Sequence, residues 1–99
     1  MTPKKRPPTH PGQMLLLEFL EPMNISQTAF ANHLGWTFAR LNEIVKCKRG
    51  VSAASALAFG EAFSMEPEFW MNLQRDWDLW HERSKRKRKS GVPPIKVAA

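Results

Sequence analysis

Between Trp36 and Gly50 the chain carries four cations, Arg40, Lys46, Lys48 and Arg49, against one carboxylate, Glu43. The stretch around this window, residues 10–82, holds every Asp and Glu of the chain and only one further cation, Arg75. A basic island in an acidic segment points to a localised polyanion site, more than the net charge of +6 does on its own. Side chains of this kind neutralise phosphates. Other chemistry finds little support. His10, His33 and His81 are widely spaced and form no metal-ligand pattern with Cys47, so no metal or cofactor is expected. Cys47 has no neighbouring His in the sequence and reads as inert. Glu66 and Glu68 could pass for a catalytic carboxylate pair, but they open a predicted helix, where negative charge suits the dipole. With no Gly-rich phosphate loop and no nucleophile elbow, an enzyme is not expected.

The elements that must position those cations are all helical. Residues 1–9 contain three prolines with Lys4, Lys5 and Arg6, and read as a flexible basic arm. The domain is expected over residues 10–83 and a basic, disordered tail over 84–99, which includes Lys85–Lys89 and Pro93-Pro94. A first helix is predicted over Gln13–Glu21, stopped by Pro22. Ser26 caps a second, Gln27–Leu34, which Gly35 terminates in a left-handed conformation. Thr37 caps a third over Phe38–Lys46, and Ser52 a fourth over Ala53–Phe63, with Ala56, Leu57, Phe59, Ala62 and Phe63 available for packing. Pro67 suits the first turn of a fifth that runs to about Arg83. No sustained two-residue alternation marks a strand. The expected class is therefore all-α, five helices.

The second and third helices have the makings of a helix-turn-helix. Ala29 and Ala31 are small enough for close packing, Gly35 makes the turn, and Leu34, Leu41 and Ile44 tie both helices to the rest. The later helix then projects outward, and its first turn, Thr37, Phe38, Ala39 and Arg40, would meet base edges in a major groove. Gln27, at the start of the preceding helix, would sit against a phosphate. Asn42 is the next exposed position, and Lys46, Lys48 and Arg49 would hold the flanking backbone. Phe38 and Ala39 are apolar. Phe38 either contacts thymine methyls or packs back on the domain. Cys47 follows the third helix; a left-handed conformation there, which likeness to helix-turn-helix relatives with Asn-Gly at Lys46-Cys47 implies, would cost about 1 kcal/mol.

A longer series of motifs carries a family resemblance. His10-Pro11-Gly12, Glu18-Phe19-Leu20-Glu21-Pro22, Ser26-Gln27, Leu34-Gly35, Lys48-Arg49-Gly50-Val51-Ser52 and Pro67-Glu68-Phe69-Trp70-Met71-Asn72-Leu73-Gln74 stand in order over residues 10–82. Together they resemble the HigA/VapI-type antitoxins, a branch of the Xre/Cro-like (lambda-repressor-like) helix-turn-helix proteins. The resemblance implies a homodimer on palindromic double-stranded operator DNA that represses its own operon. It also implies neutralisation of a cognate RelE-like ribonuclease toxin that cuts mRNA. A stand-alone repressor of the same family, without a toxin, is the alternative.

Three features remain open on sequence. Trp70, Leu73, Trp77 and Trp80 recur at spacings of three, four and three, a helical stripe that is either core or shared with a two-fold mate. Met14–Leu20 is apolar nearly all round, so Leu16 and Leu17 either mark a contact surface or pack against the fifth helix. The seven cations of residues 83–99 either are simply solvated or add phosphate affinity. The lone cysteine fits a reducing cytoplasm, and the longest apolar run, Met14–Leu17, is far short of a membrane span.

Overall fold

The computed structural model describes residues 6–86 and 91–97. Among these there are helices and no strand. The chain opens with α1 (Pro11–Met14), which continues without a break into a π-helical segment, Leu15–Leu20. It goes on through α2 (Gln27–Leu34), α3 (Phe38–Val45), α4 (Ala53–Phe63) and α5 (Glu68–Lys85). Lys4, Lys5, Lys87, Arg88 and Lys89 of the expected basic arms lie outside the described residues.

Capping serines and threonines set the middle helices. Ser26 Oγ accepts from Ala29 N at 3.0 Å and Thr37 Oγ1 from Arg40 N at 3.2 Å. Ser52 Oγ accepts from Ser55 N at 3.2 Å. Each satisfies one of the orphan amides of a helix start. Gly35, with φ 76°, ends α2 as expected, and Cys47, with φ 63°, is left-handed too.

The first helix differs from expectation at both ends. It begins at Pro11, not Gln13, because His10 caps it: Nδ1 accepts from Gly12 N at 2.9 Å. Pro11 sits where a missing N–H costs nothing. Gly12 is required by a close approach, since a Cβ there would collide with the carbonyl of Ile44 on α3. The second half of the helix adopts i→i−5 bonding, as in Glu21 N to Leu16 O at 2.9 Å, and past the left-handed Asn24 the Ile25 N–H closes the end on Leu20 O at 2.9 Å. That register brings Leu15 and Leu20 together in the core. Leu16 packs against the core, while Leu17 stays 47% exposed. Two smaller differences follow the same logic: α3 stops at Val45, leaving Lys46 as its cap, and α5 reaches Lys85.

Leu15, Leu20, Phe30, Leu41, Ile44, Phe59 and Trp70 are buried between the helices. Trp70 is the hub, with ring centroids of Phe19, Phe59 and Phe69 each 5.1 Å away. Aromatic pairs at such separations add about 0.5–1.5 kcal/mol beyond their area. Leu57, expected among the packing residues of α4, instead points outward and is 54% exposed.

Candidate nucleic-acid interface

The third helix is held in place from three sides, and the holding explains which of its residues remain free. In its middle, Asn42 Nδ2 donates to Gln27 Oε1 at 3.0 Å, tying the first residue of α2 to α3. At its end, Gln13 Nε2 donates to Val45 O at 2.8 Å, so a side chain of α1 satisfies a terminal carbonyl of α3. Beneath it, Leu41, Ile44 and Val45 are buried. Thr37, Phe38 and Ala39 are exposed, and Phe38 is 49% accessible. Of its two possible roles, packing back on the domain is thereby disfavoured.

Asn42 is not the free exposed reader expected from sequence. It is half-buried and committed to Gln27, a brace that leaves the Gln27 amide NH2 available to an anion. Arg40 is restrained as well: its guanidinium carbon lies 3.7 Å from the centroid of the Trp36 ring. Trp36 in turn rests against Phe59 of the core at 5.6 Å. Trp36 thus restrains Arg40, a contact that sequence reasoning missed; its position just before the Thr37 cap, four residues from Arg40, was the available signal.

The loop after α3 is shaped by its own backbone. Lys48 N and Arg49 N both donate to Glu43 O, at 2.8 and 3.2 Å. Arg49 also pairs with the Glu43 carboxylate, Nη2 at 2.7 Å and Nε at 2.8 Å from Oε1. One of the four cations of the window is therefore matched, while Lys46 and Lys48 are exposed. Gln74 of α5 anchors the far side of the loop. Its Oε1 accepts from Val51 N at 2.7 Å, and its Nε2 donates to Asp78 Oδ1 at 2.8 Å. The same side chain lies against Gly50, where a Cβ would come within 2.9 Å of its amide nitrogen. Gln74 is buried and polar, and sequence reasoning had assigned it no role beyond the family motif.

Two titratable groups near this face are shifted from their ordinary values. Burial pushes the Cys47 thiol up, opposed by its contact with Gln13, which keeps it protonated and weakly nucleophilic. Burial holds His10 below the ordinary histidine value, with Asp78 opposing and His81 reinforcing the shift. Among the described residues no group of His, Cys, Asp and Glu could hold a metal ion. No helix among them is long and apolar enough to cross a membrane.

The aromatic stripe of α5 divides. Trp70 is 0% exposed within one chain, so it cannot lie at a dimer face; it is core. Leu73, Trp77 and Trp80 are only partly covered. Trp77 stands edge-on to His10 at 4.8 Å and lies 4.1 Å from His81.

No family model matches the chain. Individual relatives do. Antitoxin HigA-1 of Vibrio cholerae is 37% identical over 87 residues, covering 86% of this chain and 80% of the relative. Virulence-associated protein I of Dichelobacter nodosus is 40% identical over 73 residues, 74% of this chain and 68% of its own length. The chain belongs to the HigA/VapI-type antitoxin family. Its fold agrees: antitoxin GraA, solved in complex with its operator, superposes with a TM-score of 0.84 at 32% identity, over 98% of this chain and 99% of that one. The HigA-type motifs singled out in the sequence fall on the capped turn between α2 and α3, the Lys48–Ser52 loop and the start of α5, the same places that fix the posture of α3.

Proposed function

We propose that the protein is the DNA-binding antitoxin of a type II toxin-antitoxin pair, cytoplasmic and not an enzyme. It binds its own operator as a homodimer and neutralises a RelE-like mRNA-cleaving toxin. The observation that carries the DNA reading is the free first turn of α3, with Phe38 and Ala39 exposed and Arg40 stacked on Trp36. Phe38 and Ala39 suit thymine methyls, and Arg40 suits a guanine edge or a phosphate. Gln27, Thr37 and the Lys46–Arg49 loop flank that turn and suit phosphates. The Arg49–Glu43 pair is exposed and worth about 0–1 kcal/mol, little enough for a phosphate to displace the carboxylate. Asn42 acts through Gln27.

The operator-bound relative supports the DNA reading, and family membership supports the toxin. For the dimer face we assign Leu73, Trp77 and Trp80. Pairing through α5 would set two α3 helices about 34 Å apart, one turn of DNA. The test is a titration into the DNA upstream of the gene at two salt concentrations. Sequence-selective, salt-sensitive binding by two copies is expected, and Arg40→Ala should weaken it by about 1–3 kcal/mol. Binding no better than to random DNA would sink the reading. Co-expression with a RelE-like toxin, should one be encoded beside the gene, tests the second half; a toxin that stays active, or no such gene, leaves a stand-alone repressor.

A further inference from the structure

The last helix has a direction relative to the rest of the molecule, and the direction matters for charge. α5 starts at the apolar end, where Phe69 and Trp70 meet Phe19 and Phe63. Carboxylates gather there: Glu61 and Glu66 line one groove with Leu57 and Pro67, and Glu18 lines another with Phe19 and Phe69. The helix then passes the α3–α4 loop, where Gln74 holds Val51 and presses on Gly50, directly after Lys48 and Arg49. At Trp77 it passes His10, whose neighbour Gly12 abuts the end of α3. Beyond that point it continues to Lys85, about 16 Å past Gln74 at 1.5 Å per residue. Its middle turns thus pass the segments that flank Lys46, Lys48 and Arg49, and its last turn carries Arg83 and Lys85, with Arg86 as the cap.

Helical phase sorts these cations. Eleven residues are close to three turns, so Lys85 lies on the side of α5 that Gln74 turns to the Gly50–Val51 loop. Nine residues are two and a half turns, so Arg83 lies on the opposite side. At Arg86 the backbone becomes extended. Among the described residues, Glu82 alone pairs with Lys85, at 4.0 Å and well exposed, an ion pair of little worth.

We infer that Lys85 and Arg86 form a second phosphate-binding surface, separate from the helix-turn-helix, that engages the DNA backbone next to the one held by Lys46 and Lys48. This rests on the DNA reading above and adds to it a contact made by α5. Such contacts carry no sequence information; they add affinity and salt dependence.

The test compares the full chain with Lys85→Ala, Arg86→Ala and Arg83→Ala, each titrated into operator DNA at several salt concentrations. Lys85→Ala and Arg86→Ala should each flatten the log–log salt slope by about 0.9 per copy bound, and weaken operator and random DNA alike. Arg83→Ala removes the same charge from the opposite side and should leave the slope near that of the parent. A slope unchanged in all three variants overturns the inference. An equal loss in Arg83→Ala also overturns it, since the effect would then be a diffuse field without a site. If the parent chain itself binds no DNA, the underlying reading fails, and the two failures are told apart by that first titration.

Discussion

The two halves of α5 contrast. In its first half Trp70 is enclosed by aromatic rings and Gln74 is buried on the α3–α4 loop. In its second half Trp77 and Trp80 are half-covered, and the helix ends in cations. One helix with one aromatic periodicity thus does two jobs: the first half closes the fold, and the second presents surface. The spacing of the tryptophans alone does not separate them. What separates them is whether the rest of the chain reaches far enough along the helix to cover them.

Substitutions along α5 should expose the contrast. Trp70→Ala is expected to cost about 3–5 kcal/mol of folding stability, read as a lowered denaturant midpoint. A loss comparable to that of an exposed position would deny it the role of hub. Gln74→Ala leaves the Val51 amide unpaired and should cost about 1–3 kcal/mol in the same measurement. If the variant is as stable as the parent, the loop is held by something else. Trp77→Ala should cost less than about 2 kcal/mol, yet convert dimer to monomer in sedimentation. A persistent dimer would move the interface off the second half.

The smallest expected effect concerns His10, the cap that rests on Trp77. Burial lowers its pKa, so the folded chain favours the neutral ring, with Nδ1 free to accept from Gly12. The unfolded chain then binds the proton more readily. The stabilisation is complete above the unfolded value of about 6.5 and is lost as pH falls through the lower folded value. His10→Asn keeps an acceptor for the cap and removes the titration. Its stability should therefore fall less between pH 7 and 5 than that of the parent, and parallel pH profiles would count against the cap as the cause.

Local signals carried most of the fold. Ser26, Thr37 and Ser52 each cap the helix that follows them, and Gly35 and Cys47 take the left-handed conformations expected of them. These features depend on neighbours within four residues, which a sequence displays. The start of the first helix was hidden because Pro11-Gly12 looks like a breaker until His10 is seen to cap it and Ile44 to demand the glycine. The candidate site divides similarly. The free turn Thr37–Arg40 was legible from its place in the motif. The Asn42–Gln27 brace and the role of Gln74 were not, because one needs the angle between two helices and the other a contact across 23 residues; the Trp36–Arg40 stack lies within four residues and was overlooked.

The π-helical segment bears on how chains of this kind tolerate length change. Its wider turn accommodates one more residue than an α-helix would between Leu15 and Leu20, both fully buried, and the exposed Leu17 is the residue the core needs least. Removing Leu17 would place the two leucines four apart, the spacing at which an ordinary α-helix puts side chains on one face. The segment thus works as a stored insertion: a one-residue gap there in a related chain would be absorbed by rewinding a single turn, with the same core on either side of it.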